Sequence, residues 1–386
     1  MSEHRVVLGA SCTDDAILPP ATELSAVREL PDPFLQPDGT RVASKQQWNR
    51  QRAHLQSLIL GYEYGRIPLE RGPVTALELS SEAHPHIPAV ISHVQLRWGP
   101  SGQASLHVKA TTPRKSARPF PAIISAYLYY GEDPAILAEI VRRGYMLVEF
   151  DRNEIAMDHP GAQSAMRAWY PQYDRGHLAA WAWGFQVVVD YLLTRQDVDP
   201  ARIAVTGHSR CGKAALLAGA VDPRISLTCP NGSGCGGAGC YRFTPPGSED
   251  MATILRVLPY WFSRRLKEFV GCVDRLPFDQ HTLKALVAPR ALLSTEALAD
   301  LWANPEGTQH TYLAAREVFR WLGAADRIGI HYRQGGHDQN LDDWRALLDF
   351  ADYVFFGKAS GRCFNHLPFP TNRSLFPWSA TDGVQT

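Results

Sequence analysis

"AVTGHSRCGKAALLAGA", residues 204–220, joins an apolar stretch typical of a buried strand to one typical of a buried helix. Ser209 stands at the junction, with Gly207 two positions before it and Gly212 three positions after it. A serine in a tight strand-to-helix turn is the setting of a nucleophile elbow, which presents the hydroxyl at the carboxyl end of a sheet. In the usual elbow, the second glycine stands two positions after the serine and not three. The alternative to a nucleophile is that Ser209 only caps the helix.

Strands and helices alternate around this turn. Residues 121–130 and 145–151 are continuous apolar runs, typical of central strands covered on both faces, and a predicted helix over 133–144 joins them. Residues 75–113 alternate apolar and polar side chains, which predicts antiparallel strands at the edge of the sheet. Further strands are predicted over 202–209, 225–233, 290–295 and 328–334, and helices over 44–65, 177–195, 212–220, 311–323 and 342–357.

This alternation predicts the α/β class, with a largely parallel sheet and helices on both faces. Together with the elbow it predicts an α/β-hydrolase fold, a three-layer αβα sandwich with antiparallel N-terminal strands. A loop-rich insert is predicted over 152–176. Because no repeat or linker interrupts the pattern, we expect one catalytic domain over 1–386, with an N-terminal extension over about 1–30 and a C-terminal tail over about 359–386.

Composition argues against several classes of protein. Lysine plus arginine and aspartate plus glutamate both number 39, so the chain offers no basic surface for nucleic acid. No apolar stretch reaches the roughly 18 residues of a membrane span. Residues 1–24 do not form a recognisable signal peptide, which leaves the location open between the cytoplasm and export with the signal removed. The sequence indicates no metal site and no cofactor, and we expect a monomer.

A serine nucleophile needs a base and an acid that orients the base. Among the histidines after residue 295, His331 lies in a predicted strand and His310 at the start of a predicted helix. His337 follows the last predicted strand in a loop with two glycines, and it is the predicted base. The acid is expected after the strand over 290–295, where Asp300 fits best. Spacing alone leaves Glu296 and Glu306 open.

Several ordered motifs make a resemblance specific. The stretches "GHSRCGKAAL" (207–216), "NGSGCGGAGCYR" (231–242), "LPYWF" (258–262) and "DLWANPEG" (300–307) resemble the glucuronoyl esterases, carbohydrate esterase family 15, in their bacterial form. "LPFDQHTLKALVAPR" (276–290) and the region after residue 30 are similar as well, so the resemblance runs from about 30 to about 358. The family motif is similar to G-x-S-R-x-G-K, which accounts for a glycine three places after the serine.

The resemblance implies roles for four further residues. It implies that Arg210 stabilises the oxyanion and that Lys213 and Trp302 contact the sugar. It also implies that Glu249 accepts hydrogen bonds from sugar hydroxyls, although Glu249 also reads as a helix-capping carboxylate. Lysine and arginine at a helix N-terminus oppose the helix dipole, so Arg210 and Lys213 call for a functional explanation.

The chain departs from the fungal members of the family at two places. The position of the fungal triad glutamate holds Gly232, so the resemblance favours the aspartate of the bacterial D-x-W arrangement, which is Asp300. Fungal members also join the residue before the serine to the residue after the histidine by a disulfide, and here these positions hold His208 and Asp338. A bridge from Cys272 to Cys240 or Cys235 is left open.

We therefore expect a serine esterase that hydrolyses esters of a uronic acid. The resemblance implies 4-O-methyl-D-glucuronoyl esters that link glucuronoxylan to lignin alcohols, and it leaves the choice between glucuronate and galacturonate open. Another serine hydrolase, such as an acetyl-xylan esterase or a peptidase, is the first alternative. A non-catalytic carbohydrate-binding protein on a hydrolase scaffold is the second, and Gly232 is its only support.

Overall fold

The structure, a computed structural model, describes residues 18–68, 72–99, 102, 104–127, 131, 133–162, 166 and 175–380. Its centre is one sheet of nine strands. The strands are β1 Thr75–Ala83, β2 Ala89–Trp98, β3 Ala104–Pro113, β4 Phe120–Ser125, β5 Met146–Phe150, β6 Val198–His208, β7 Leu227–Asn231, β8 Ala291–Ala297 and β9 Ile328–Arg333. The helices are α1 Lys45–Ile59, α2 Pro134–Arg142, α3 Arg152–Ile155, α4 His177–Leu192, α5 Arg210–Val221, α6 Met251–Val257, α7 Gln280–Ala285, α8 Pro305–Trp321 and α9 Leu341–Phe356.

The strands lie in the order β1-β2-β3-β5-β4-β6-β7-β8-β9. The first three strands and β5 pair antiparallel, and all pairs from β5 to β9 are parallel. The predicted α/β class, with a mostly parallel sheet and antiparallel N-terminal strands, is confirmed. Because parallel strands share a direction, the loops after β6, β7, β8 and β9 all leave the sheet at one edge.

Burial explains why the parallel strands read as continuous apolar runs. Every residue of β4, β5, β7 and β8 is buried, since helices cover both faces of the sheet. Helix α4 is buried over its whole length except Asp190, which places it at the centre of one helical layer. The outermost strand β1 is exposed on both faces, although its alternating sequence is typical of a strand with one buried face.

Element boundaries differ from the predictions at three places. Helix α8 begins at Pro305, six residues earlier than predicted, because Asn304 caps it through a hydrogen bond from Gly307 N (2.8 Å). Strand β4 ends at Ser125, and residues 128–130 of the predicted strand lie outside the described residues. The insert over 152–176 begins with the short helix α3, and most of its second half also lies outside them.

The two ends of the described chain pack against each other. Leu30 N donates to Leu375 O (2.7 Å), and the Trp378 indole donates to Leu30 O (2.7 Å). Leu30 and Phe376 are both buried. The segments predicted as extension and tail therefore contribute to the core, and the division into one domain stays a prediction. Within the described ranges, no helix is both long and apolar enough to cross a membrane.

Candidate active site

Ser209 lies in a strained turn between β6 and α5. Its φ of 54° and ψ of −120° fall outside the regions that a residue with a side chain prefers. Its backbone N–H donates to Asn231 O (2.9 Å), which fastens the turn to the end of β7. Within this described turn, the Ser209 side chain accepts no capping hydrogen bond from α5, so the geometry is that of an elbow and not of a cap.

Close backbone contact explains the unusual glycine spacing. A Cβ atom on Gly212 would lie 2.7 Å from Gly207 O and 3.0 Å from Asn231 O, so the first turn of α5 crosses the ends of β6 and β7 at position 212. A Cβ atom on Gly207 would lie 2.6 Å from the carbonyl carbon of Cys211. Cys211 stands where the usual motif has its second glycine. Its side chain is buried, so the structure has room for a side chain at this position.

The predicted base and acid meet at the same edge of the sheet. His337 Nδ1 lies 2.6 Å from Asp300 Oδ2, and the Asp300 side chain is buried while that of His337 is 41% exposed. Asp300 is held by its place at the start of a short 3₁₀ turn, Leu301–Ala303. The loop after His337 is tied to β9 by Arg333, whose guanidinium donates to Asp338 O (2.6 Å).

The ring of His337 contacts the ring of His208, the residue that precedes Ser209 in the elbow. The rings of His208 and His337 have centroids 4.3 Å apart. No hydrogen bond joins the Ser209 hydroxyl to His337 in the described part of the chain. Catalytic hydrogen bonds often tighten only when substrate binds.

The alternative partners left open by spacing lie elsewhere. Glu296 is fully buried in β8, where burial raises its pKa well above the usual range against the opposing charge of Lys284. Glu306 lies 3.9 Å from His310, which is buried inside α8. His331 Nε2 lies 3.2 Å from Asp342 Oδ2. The arrangement therefore pairs His337 with Asp300.

Gly232 lies beside the same pair. A Cβ atom on this residue would be 3.4 Å from both Asp300 Oδ2 and His208 Cε1, and its φ is +46°, which favours glycine. A side chain at position 232 would therefore point at the group that already orients His337. The position that the resemblance gives to the fungal acid therefore lies beside Asp300, the acid predicted for this chain.

Arg210 is held in place by a residue that the sequence interpretation missed. Its guanidinium forms an ion pair with Asp158 and lies over the ring of Trp261, 5.1 Å from the centroid. Asp158 also accepts hydrogen bonds from Arg152 (3.1 Å), the Tyr260 hydroxyl (3.0 Å) and the Trp261 indole (2.8 Å).

This environment keeps Asp158 ionised. Burial acts to raise its pKa, but the hydrogen bonds from Arg210 and Trp261 and the charge of Arg210 lower the pKa overall. A single aspartate in a loop-rich insert carries no motif, so only the folded chain reveals this contact.

Of the residues predicted to bind sugar, Lys213 lies in the first turn of α5, Glu249 in the loop before α6 and Trp302 in the short turn after Asp300. Lys213 is buried, and its ammonium donates to Ser233 O (2.5 Å) and Cys235 O (2.6 Å). Burial lowers the pKa of Lys213, and the Glu249 carboxylate opposes this shift. Burial likewise raises the pKa of Glu249, with Lys213 opposing.

Trp302 and Glu249 are joined through their backbones. Glu249 N donates to Trp302 O (3.1 Å), while the Trp302 side chain is 51% exposed. Asp250 caps α6 through a hydrogen bond from Thr253 N (2.7 Å), so the interpretation of Glu249 as the capping carboxylate is wrong.

The six described cysteines are free, so the bridges left open from Cys272 to Cys240 or Cys235 are not formed. Cys272 Sγ instead faces Glu268 O at 3.3 Å. Within the described ranges, no group of three or more His, Cys, Asp or Glu side chains is arranged to hold a metal ion.

Comparison with known proteins identifies relatives of this chain. Residues 99–323, more than half of it, match a family model described as "Glucuronyl esterase, fungi". A 4-O-methyl-glucuronoyl methylesterase from Podospora anserina is 34% identical over 322 residues, which cover 80% of this chain and 63% of the relative. The chain thus spans less than two thirds of the length of that relative.

Solved structures agree. A carbohydrate esterase family 15 glucuronoyl esterase from Caldicellulosiruptor kristjansonii superimposes with a TM-score of 0.79 at 30% identity, covering 93% of this chain and 99% of the other. A serine-to-alanine mutant of the enzyme from Sporotrichum thermophile, in complex with methyl 4-O-methyl-beta-D-glucopyranuronate, has a TM-score of 0.74 at 28% identity. That match covers 92% of this chain and 95% of the other.

Proposed function

The chain belongs to the glucuronoyl esterases of carbohydrate esterase family 15, and we propose that it hydrolyses esters of 4-O-methyl-D-glucuronic acid with Ser209 as nucleophile. The 2.6 Å contact between His337 and Asp300 beside the Ser209 elbow carries this proposal. The natural ester is proposed to be the link between the glucuronoyl branches of xylan and lignin alcohols. The family membership makes the chain a carboxylic ester hydrolase.

The reaction proceeds in two halves. His337 accepts the proton of the Ser209 hydroxyl while Ser209 Oγ attacks the ester carbonyl carbon, and Asp300 holds the tautomer in which Nδ1 carries a proton. Arg210 and backbone N–H groups at the start of α5 stabilise the tetrahedral oxyanion. His337 then gives the proton to the leaving alcohol oxygen. Water, deprotonated by His337, attacks the acyl carbon. The bond from that carbon to Ser209 Oγ then breaks, and His337 returns the proton to Oγ, which releases the uronic acid and free Ser209.

Recognition of the sugar acid is assigned to three residues. The ammonium of Lys213 has three N–H bonds, and two of them go to backbone carbonyls, which leaves one for a sugar hydroxyl. The Glu249 carboxylate beside it supplies an acceptor. The exposed Trp302 offers an apolar face and an indole N–H. A polar set of this kind suits a hydroxylated acid better than an acetyl group.

A substrate panel on purified protein tests the proposal. We expect turnover of methyl 4-O-methyl-glucuronate well above that of acetylated xylose, with methyl galacturonate measured alongside. Preference for acetylated xylose would establish the acetyl-xylan esterase alternative. Absence of turnover on every ester, together with no labelling of Ser209 by a fluorophosphonate, would favour the non-catalytic alternative.

The same panel tests the binding residues. Truncating Lys213, Glu249 or Trp302 is expected to raise KM for the uronate ester, because these contacts exist in the ground state and the transition state alike. Hydrolysis of a small activated acetyl ester, which lacks the sugar hydroxyls, serves as the control and should change little. Equal losses on both substrates would point to structural damage. That the protein is a monomer stays a prediction, which the molar mass from light scattering tests.

A further inference from the structure

The half-buried ring of His208 packs against the predicted base. Its centroid lies 4.3 Å from that of His337, with 52° between the ring planes. His208 Nδ1 lies 2.6 Å from Asn231 Oδ1, and Asn231 Nδ2 donates to Thr295 Oγ1 (2.9 Å). Because the Asn231 nitrogen is turned toward Thr295, its oxygen faces the ring, and His208 Nδ1 carries the proton. Residues of β7 and β8 thus fix the orientation and the tautomer of His208.

His337 itself is weakly restrained. It follows Gly335, whose φ is 104°, and Gly336, and its side chain is 41% exposed. One hydrogen bond, to Asp300, restrains Nδ1. A single hydrogen bond leaves the ring free to turn about that contact, and such a turn displaces Nε2, the atom that must reach the Ser209 hydroxyl. A ring packed against the imidazole, as His208 is at a 52° tilt, limits this freedom.

The charge state of His208 suits this role. Burial lowers its pKa to about 4, although the hydrogen bond to Asn231 opposes the shift. The other charged or titratable groups that face it are His337, Asp300 and Asp338. A neutral ring at neutral pH does not repel the imidazolium that forms on His337 during the reaction. A cation at position 208 would do so.

We propose that His208 is a positioning residue, whose ring holds the plane of the His337 imidazole so that Nε2 stays directed at Ser209. The proposal rests on the proposed function, since it takes His337 as the base. It adds a second restraint to the one that Asp300 supplies, and this restraint comes from the strand that carries the nucleophile.

Labelling of Ser209 by a fluorophosphonate measures nucleophile activation without any sugar contact, since Ser209 Oγ displaces fluoride from phosphorus. We expect His208→Ala to slow labelling and to lower kcat by roughly 10- to 100-fold, the scale that small misplacements of a catalytic group cost. KM for methyl 4-O-methyl-glucuronate should stay nearly unchanged. His208→Phe restores a flat ring without the hydrogen bond to Asn231 and should recover part of the rate.

Thermal unfolding of each variant controls for damage to the fold, and His208→Leu, which has bulk but no ring, replaces the alanine variant if that one unfolds. Wild-type labelling in a folded His208→Ala or His208→Leu protein would overturn the proposal. Equally slow labelling of the phenylalanine variant would also overturn it. Ser209→Ala separates the two levels: label found on that variant contradicts the proposed function, whereas an unlabelled Ser209→Ala beside an unaffected His208→Ala contradicts only the positioning role.

Discussion

Asp300 occupies the position on which the proposed reaction depends most closely. It is buried, it accepts from Ala303 N at the start of a short turn, and its Oδ2 lies 2.6 Å from His337 Nδ1. Gly232 approaches the same oxygen from the next loop. Positions 232 and 300 are both close enough to supply the acid that orients His337, and this chain has a carboxylate only at position 300.

Asp300→Asn is expected to lower kcat by about 10⁴-fold, because the amide can stabilise the wrong tautomer of His337. Steady-state kinetics on methyl 4-O-methyl-glucuronate measures this. The matched control is Glu296→Gln, four residues before Asp300 at the end of β8 and not bonded to His337, which should retain most of kcat. Near-full activity of Asp300→Asn beside a loss in Glu296→Gln or Glu306→Gln would assign the acid elsewhere. Adding Gly232→Glu to Asp300→Asn should restore part of the rate, limited by the positive φ at 232.

Arg210→Ala removes a charged donor from the oxyanion and leaves its backbone N–H in place. A loss of about 2.7–4 kcal/mol of transition-state stabilisation is the scale for one such donor. It should appear in kcat and not in KM, because the oxyanion exists only in the transition state and the intermediate. Arg142→Ala on α2, far from the site, is the control. A change confined to KM would make Arg210 a ground-state contact.

At the scale of elements, the elbow depends on how closely α5 crosses the ends of β6 and β7. That crossing leaves room for hydrogen only at Gly207 and Gly212. The strain at Ser209 is sustained because the backbone hydrogen bonds to Asn231 O and from Lys213 N secure the turn on both sides.

Gly212→Ala is expected to destabilise the fold by about 1–3 kcal/mol, since the added methyl meets two backbone oxygens that cannot move aside. Denaturant unfolding measures this. Gly361→Ala is the matched control: its Cβ would meet open space, and the change should stay within about 0.5 kcal/mol. Equal stability of the two variants would show that the crossing is not close.

The turn after α1 is bonded to the core of the molecule through the side chain of Glu63. After α1, a π-helical turn, Leu60–Tyr64, carries Glu63 into the core, where it accepts hydrogen bonds from the Tyr241 hydroxyl (2.6 Å) and the Gln280 amide (2.7 Å). Burial raises the pKa of Glu63 to about 7, with the hydrogen bond from Tyr241 opposing.

Because the folded state binds this proton more tightly than the unfolded state, the contribution of Glu63 to stability is lost as pH rises from about 4.5 to about 7. Glu63→Gln should therefore gain stability relative to wild type over that interval and show a constant difference above about pH 8. Unfolding free energies measured across pH test this. Glu268→Gln, whose carboxyl has a pKa held low chiefly by Arg265, should show a flat difference between pH 5 and 8. A flat difference for Glu63→Gln would contradict the assignment.

At the scale of the whole molecule, the parallel sheet gathers the site from segments far apart in the chain. Ser209, Asp300 and His337 each follow a strand, and strand order alone predicts that they meet at one edge. Sequence patterns therefore predicted the fold class and the three central residues. The residues proposed to bind sugar were predicted from the resemblance and not from spacing.

Other contacts depend on tertiary packing that no local pattern records. Asp158 reaches Arg210 from the loop after α3, and His208, at the end of β6, meets His337 because the loop after β9 extends past the ends of β8 and β7. The boundary of α8 shifted because Asn304, in a left-handed conformation, caps it. Cys235, Cys240 and Cys272 are free thiols, which the sequence alone left open.

Hydrolysis of methyl 4-O-methyl-glucuronate by wild-type protein and by Ser209→Ala, measured side by side, tests whether Ser209 is the nucleophile. We expect turnover by the wild type and a kcat lower by roughly 10⁴- to 10⁶-fold in the variant, the scale seen when a triad serine is lost. Unchanged turnover in a folded Ser209→Ala protein would contradict it.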